Sequence, residues 1–124
     1  MNLDCLRALC LSLPHSTENV QWGDKLSFKV GGKIFAIVTL ESVPMRLIFK
    51  CDPESFAELT EREGIRPAPY LGRYRWVMLE SMDVVGDAEL DRLIRVSYAM
   101  VVRTQPPASA GKRRRGKTRD SGQW

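Results

Sequence analysis

The chain has 124 residues, 44% of them hydrophobic and 27% charged, with 19 basic and 15 acidic side chains and a net charge of +4. That length suits one domain with a modest core. No apolar run approaches the roughly 18–20 residues of a membrane span, and no basic leader precedes an apolar block, so a soluble cytoplasmic protein is expected.

The charge is unevenly placed. Residues 104–124 hold Lys112, Arg113, Arg114, Arg115, Lys117 and Arg119 against Asp120, a net +5, which leaves 13 basic and 14 acidic side chains in the preceding 103 residues. The expected organisation is therefore a near-neutral folded domain over 1–103 and a basic tail over 104–124. The tail's Pro, Ser, Gly, Lys and Arg offer too little apolar surface to order it. Its KRRRGK run is suited to neutralising phosphates without sequence preference, and equally to keeping the protein soluble.

In chain order, the first helix is predicted over Asn2 to Leu11, with Asn2 as N-cap, Leu3, Leu6 and Cys10 near helical spacing, and Pro14 beyond its end. A short strand follows at about Asn19 to Trp22. The run LSFKVGGKIFAIVTL, residues 26–40, then sets two strands about a Gly-Gly pair, the pattern of a β-hairpin. A third main strand spans Met45 to Lys50. Asp52 and Pro53 open a second helix with Phe56 and Leu59 inward, and Gly64 is expected to stop it in a left-handed conformation. A loop containing Pro67 and Pro69 leads to a strand over Arg75 to Glu80. Asp87 is expected to cap the last helix, whose Leu90, Leu93, Ile94, Ser97 and Val101 make an inward stripe and whose Asp91, Arg92 and Arg95 face out.

A two-residue Gly31-Gly32 loop would pair Val30 with Lys33, Lys29 with Ile34, Phe28 with Phe35 and Leu26 with Ile37. Period-two alternation then places Leu26, Phe28, Val30, Phe35 and Ile37 on the core face and Lys25, Ser27 and Lys29 on the other. Lys33 falls formally on the core face, at a turn where its ammonium can bend into water. A loop longer by one residue would shift this register.

Catalytic chemistry has little to draw on. Cys5, Cys10 and Cys51 lack metal-ligand or redox spacing and read as small, partly buried, reduced hydrophobes. His15, the single histidine, lies in a loop facing solvent, and Glu61, Glu63, Asp87, Glu89 and Asp91 lack a partner base. No phosphate loop, metal-ligand cluster or nucleophile triad is present, so neither an enzyme nor a cofactor is expected. The mixture that binds phosphates and single strands occurs in residues 65–76, where Arg66, Arg73 and Arg75 lie among Tyr70, Tyr74 and Trp76. Against it, Trp76 and Trp22 read as core aromatics.

The segments CLRALCLSLPHSTE, WGDKLSFKVGGKIFAIV, LIFKCDPESFAEL, GIRPAPYLGRYRWVML and LIRVSYAMVV, which together span residues 5–102 in order, resemble the YjbR/MmcQ family of small bacterial proteins. The resemblance also takes in Ser97 and Tyr98 of the last helix. It implies an α+β fold with a curved antiparallel sheet and helices packed on it, related to a double-wing DNA-binding fold and to secretion-chaperone-like domains. DNA binding is thus expected by fold analogy, an associational warrant. The residues that would meet phosphates are Lys25, Lys29, Lys33, Arg66, Arg73 and Arg75, with Lys112, Arg113, Arg114, Arg115, Lys117 and Arg119 of the tail. The competing expectation is a module that binds a protein partner or a second copy of itself.

Overall fold

The computed structural model describes residues 1–21 and 23–103. Helix α1, Leu3–Ser12, starts where the Asn2 side chain accepts a hydrogen bond from the Cys5 amide at 2.8 Å. Strands β1 (Ser16–Gln21), β2 (Lys25–Val30), β3 (Lys33–Thr39) and β4 (Arg46–Lys50) follow. Then come helix α2 (Pro53–Leu59), β5 (Ile65–Pro67), a 3₁₀ turn over Gly72–Tyr74, β6 (Trp76–Leu79) and helix α3 (Asp87–Arg103). Among the described residues the strands form one six-stranded curved antiparallel sheet in the order β1-β2-β3-β4-β6-β5, an α+β fold. None of these helices is long and apolar enough to cross a membrane. The basic tail and Trp22 lie outside the described residues.

One sheet face carries the core. Leu26, Phe28 and Val30 of β2, Phe35, Ala36 and Val38 of β3, Leu47 and Phe49 of β4, and Val77 and Leu79 of β6 join a single buried cluster. Leu6, Leu9 and Cys10 of α1, Leu59 of α2, and Leu90, Leu93, Ile94 and Val101 of α3 join it from the helix side. The predicted inward stripe of α3 is therefore the observed one, and its fifth member, Ser97, is completely buried.

The hairpin departs from its expected register at one residue. Val30 opposes Lys33 and Lys29 opposes Ile34 as expected, but Phe28 opposes Ala36, Ser27 opposes Ile37 and Leu26 opposes Val38. Phe35 is the extra residue of a β-bulge, which sets two residues of one strand against one of its partner. Both Phe35 and Ala36 then belong to the core, while every later residue of β3 changes face relative to the regular pairing. Ile37, expected on the core face, consequently shares the opposite face with Ser27. Ser97 meets the irregularity directly: its Oγ donates to the Phe35 carbonyl at 2.7 Å and accepts from the Lys50 amide at 3.1 Å. The Tyr98 ring packs edge-on against Phe35, with centroids 5.3 Å apart at 90°.

Two helix boundaries also differ from expectation. Asp52 does cap α2, accepting from the Ser55 amide at 2.8 Å with Pro53 in the first turn, but the helix closes at Thr60 rather than Gly64. Gly64 is left-handed, with φ +86°, because it leads into β5, and a Cβ there would lie 2.9 Å from Val84 Cγ1. Asp87 is the first residue of α3 rather than its cap, and the Leu90 amide donates to the Gly86 carbonyl. The Asp87 carboxylate instead meets the Met1 ammonium at 2.7 Å.

Because Ser97 satisfies a strand carbonyl and a strand amide from a fully buried position, Ser97→Ala leaves both without that partner. A loss of about 1–3 kcal/mol is expected, read as a lowered urea midpoint with unchanged slope.

Candidate nucleic-acid interface

All the helices pack on the core face, so the residues that alternate to the other side of the sheet form a second surface. Register places Asn19, Ser27, Ile37, Ile48, Met78 and Arg66 in one row across all six strands. Beside it, Thr17, Lys29 and Ile34 are paired across β1 to β3, and Lys50 is paired with Trp76 across β4 and β6. On the other side of the first row lie Lys25, Thr39 and Arg46. Ile34, Ile37, Ile48, Trp76 and Met78 belong neither to the core cluster nor to the side chains packed against it. Ile37 and Met78 are buried all the same, as a floor, while Ile34, Ile48 and Trp76 are partly exposed.

Trp76 is therefore not a core aromatic. Val77 and Leu79 take the core side of β6, and alternation leaves Trp76 and Met78 on the other.

The expected phosphate-binding residues divide into three groups. Lys25, Lys29 and Arg66 share the outer face. Lys25 is held by Asp24 at 3.1 Å and Arg66 by Glu80, whereas Lys29 has no acidic partner among the described residues. Lys33 sits at the hairpin end, where burial and then the neighbouring Lys50 ammonium hold its pKa below the ordinary lysine value. Arg73 and Arg75 lie apart, around the 3₁₀ turn. The Arg73 guanidinium stacks on the Tyr74 ring, 5.0 Å from its centroid, and Arg75 takes a left-handed conformation with φ 67°. Lys112, Arg113, Arg114, Arg115, Lys117 and Arg119 lie outside the described residues.

Two cations of this surface escaped the sequence reading. Arg46 and Lys50 alternate with the core residues Leu47 and Phe49 and have no acidic partner among the described residues. Period-two alternation of RLIFK was the signal for them. Arg46 also borders, with Arg66, Glu80, Ser42 and Ser81, a cleft of about 430 Å³ at one end of the face.

Among the described residues no three His, Cys, Asp or Glu side chains are grouped to hold a metal ion. Burial pushes the Cys10 and Cys51 thiols up to about 12, which keeps them protonated at neutral pH. Cys5 is exposed.

Comparison with known proteins places this architecture. A model of YjbR matches residues 11–100. The chain belongs to the YjbR family. Its fold is similar to that of the Deinococcus radiodurans protein DR2400, which has a DUF419 domain, with a TM-score of 0.79 and 32% identity over 87% of this chain and 83% of that one. A Pseudomonas syringae protein shares the fold at a TM-score of 0.67 and 19% identity, over 81% of this chain and 98% of its own. No curated protein matches.

Ser27 lies in the outer row, completely buried, and its Oγ has no hydrogen-bond partner among the described residues. Removing an unsatisfied hydroxyl recovers its desolvation cost, so Ser27→Ala is expected to hold stability or raise it by up to about 1 kcal/mol in urea denaturation. The thiols give a second expectation. Their folded pKa values exceed the ordinary 9.0, so their contribution to stability is complete below pH 9 and lost as pH rises from about 9 to 12. Alkaline melts should show this loss, and a thiol reagent at pH 8 should modify Cys5 alone until the chain unfolds.

Proposed function

We propose that this YjbR protein is a noncatalytic DNA-binding protein whose folded domain meets the nucleic acid with the outer face of its sheet. The observation that carries this reading is that Lys29, Lys50 and Arg46 lie on that face with no acidic partner among the described residues. Three uncompensated cations on a domain near electrical neutrality mark where a polyanion gains most. They also lie on paired strands of one sheet, whose positions are fixed before the ligand arrives, so little ordering cost attaches to using them.

The basic run from Lys112 to Arg119 then adds affinity without adding register. Each phosphate neutralised by a lysine or arginine releases counterions, which makes the two contributions separable by their salt dependence. Lys25 and Arg66 border the same face, but Asp24 and Glu80 already compensate them. Arg73 and Arg75, around the turn, stand outside the main patch.

The test is anisotropy of labelled DNA of mixed sequence, titrated with the full chain at several salt concentrations. Lys29→Glu combined with Lys50→Glu should weaken binding at least about tenfold, and a chain ending at Arg103 should retain binding with a shallower log-log salt slope. Each contact is worth a slope of about −0.9 on duplex and about −0.7 on a single strand. Absence of binding by the full chain at low salt ends the proposal. Binding lost wholly with the tail, and untouched by the two glutamates, assigns it to residues 104–124 and removes the sheet face from the function.

A further inference from the structure

We infer that the nucleic acid this face takes is single-stranded, with bases laid on the partly exposed Trp76, Ile34 and Ile48 and phosphates held by Lys29, Lys50 and Arg46. The inference rests on the DNA-binding reading above and specifies the form of the ligand.

The decisive feature is the composition of this surface rather than its charge. Lys29 on β2 is paired with Ile34 on β3, and Lys50 on β4 with Trp76 on β6, so each cation has an apolar side chain as its cross-strand neighbour. Neighbouring strands are about 4.8 Å apart, which puts the strands of Lys29 and Lys50 about 10 Å apart with β3 between them. A duplex has nothing to offer those apolar positions. Its base faces are stacked inside the helix, and it presents phosphates, sugars and groove edges, polar groups that lose hydration against isoleucine or tryptophan. An unpaired strand presents what these positions lack: flat π-faces for Trp76 and Ile34, and phosphates linked closely enough to reach the lysines beside them. Base stacking on an aromatic side chain is sequence-tolerant, because every base has such a face.

The surroundings agree. Beside these pairs Ile37 and Met78 form a buried apolar floor, and Ile48 lies between them in register. None of these side chains belongs to the helix-covered core cluster. An acidic peptide would satisfy the cations but brings no regular series of flat rings to the apolar positions.

A full-chain variant with Trp22→Phe and Trp124→Phe leaves Trp76 as the single tryptophan and makes its fluorescence the reporter. It is titrated with an oligonucleotide of mixed sequence, with the same sequence as duplex, and with poly-glutamate, all at one salt concentration. The single strand should quench Trp76 and bind more tightly than the duplex. Trp76→Ala in the otherwise native chain should weaken single-strand binding by between about five- and a hundred-fold, while leaving duplex binding and the melting temperature little changed. Trp76→Phe should restore much of the loss. If the duplex binds as tightly as the single strand and Trp76 is not quenched, the single-strand inference is overturned while the DNA-binding reading stands. If neither nucleic acid binds at low salt, both fall. Equal quenching by poly-glutamate overturns the inference in favour of an acidic protein partner.

Discussion

The extra residue at Phe35 constrains everything built on this sheet. A regular hairpin would send Ile37 into the core and fill it with one more large side chain. The bulge keeps Phe35 there, brings in Ala36 and Val38 in place of Ile37, and turns Ile37 outward. Such an irregularity leaves ladder groups without their usual strand partners, and the Phe35 carbonyl finds Ser97 Oγ in α3. The same oxygen accepts the Lys50 amide, so one hydroxyl ties the last helix to the irregular point of β3 and to the end of β4. Buried polar groups of this kind are tolerated only when satisfied, and Ser97 is satisfied as both donor and acceptor.

The two sheet faces thus do different physical work. The core face is continuous with all the helices and supplies most of the apolar burial that holds the fold. The outer face combines a buried apolar floor with cations around it. Five of the nine arginines in the described residues are paired with a carboxylate: Arg7 with Glu18, Arg62 with Glu58 and Glu89, Arg66 with Glu80, Arg92 with Glu89, and Arg95 with Asp91. Arg46, Arg73, Arg75 and Arg103 have no such pair among the described residues, and of these Arg46 lies on the outer face with Lys29 and Lys50. Lys29, Lys50 and Arg46 are grouped by strand register, which sequence distance conceals.

Much of the fold was legible because local chemistry agreed with it. Asn2 and Asp52 are caps in both sequence and structure, the stripe of α3 is the predicted one, and the family resemblance names the architecture. What escaped was nonlocal. Nothing in KIFAIVT announces that Phe35 is supernumerary, since the requirement comes from Ser97, 62 residues away in sequence. Strand β5 was hidden in a proline-containing segment that pairs only through β6. Gly64 was recognised as left-handed but assigned to a helix end, whereas the need for it comes from Val84. Of the candidate site, Lys25, Lys29 and Arg66 were found by residue type. Trp76 was assigned to the core because aromatics usually belong there, and Lys50 and Arg46 were passed over because their strand was read for its apolar members.

The two borders of the sheet are unequal. On one side β5 is three residues long and closed by Pro67, too short to template another chain. On the other β1 runs for six residues, with Val20 56% exposed and Arg7 clamped to Glu18 beside it. Lateral growth of the sheet is thereby confined to one border. The truncated β5 border leaves the described sheet a single border long enough to template an added strand.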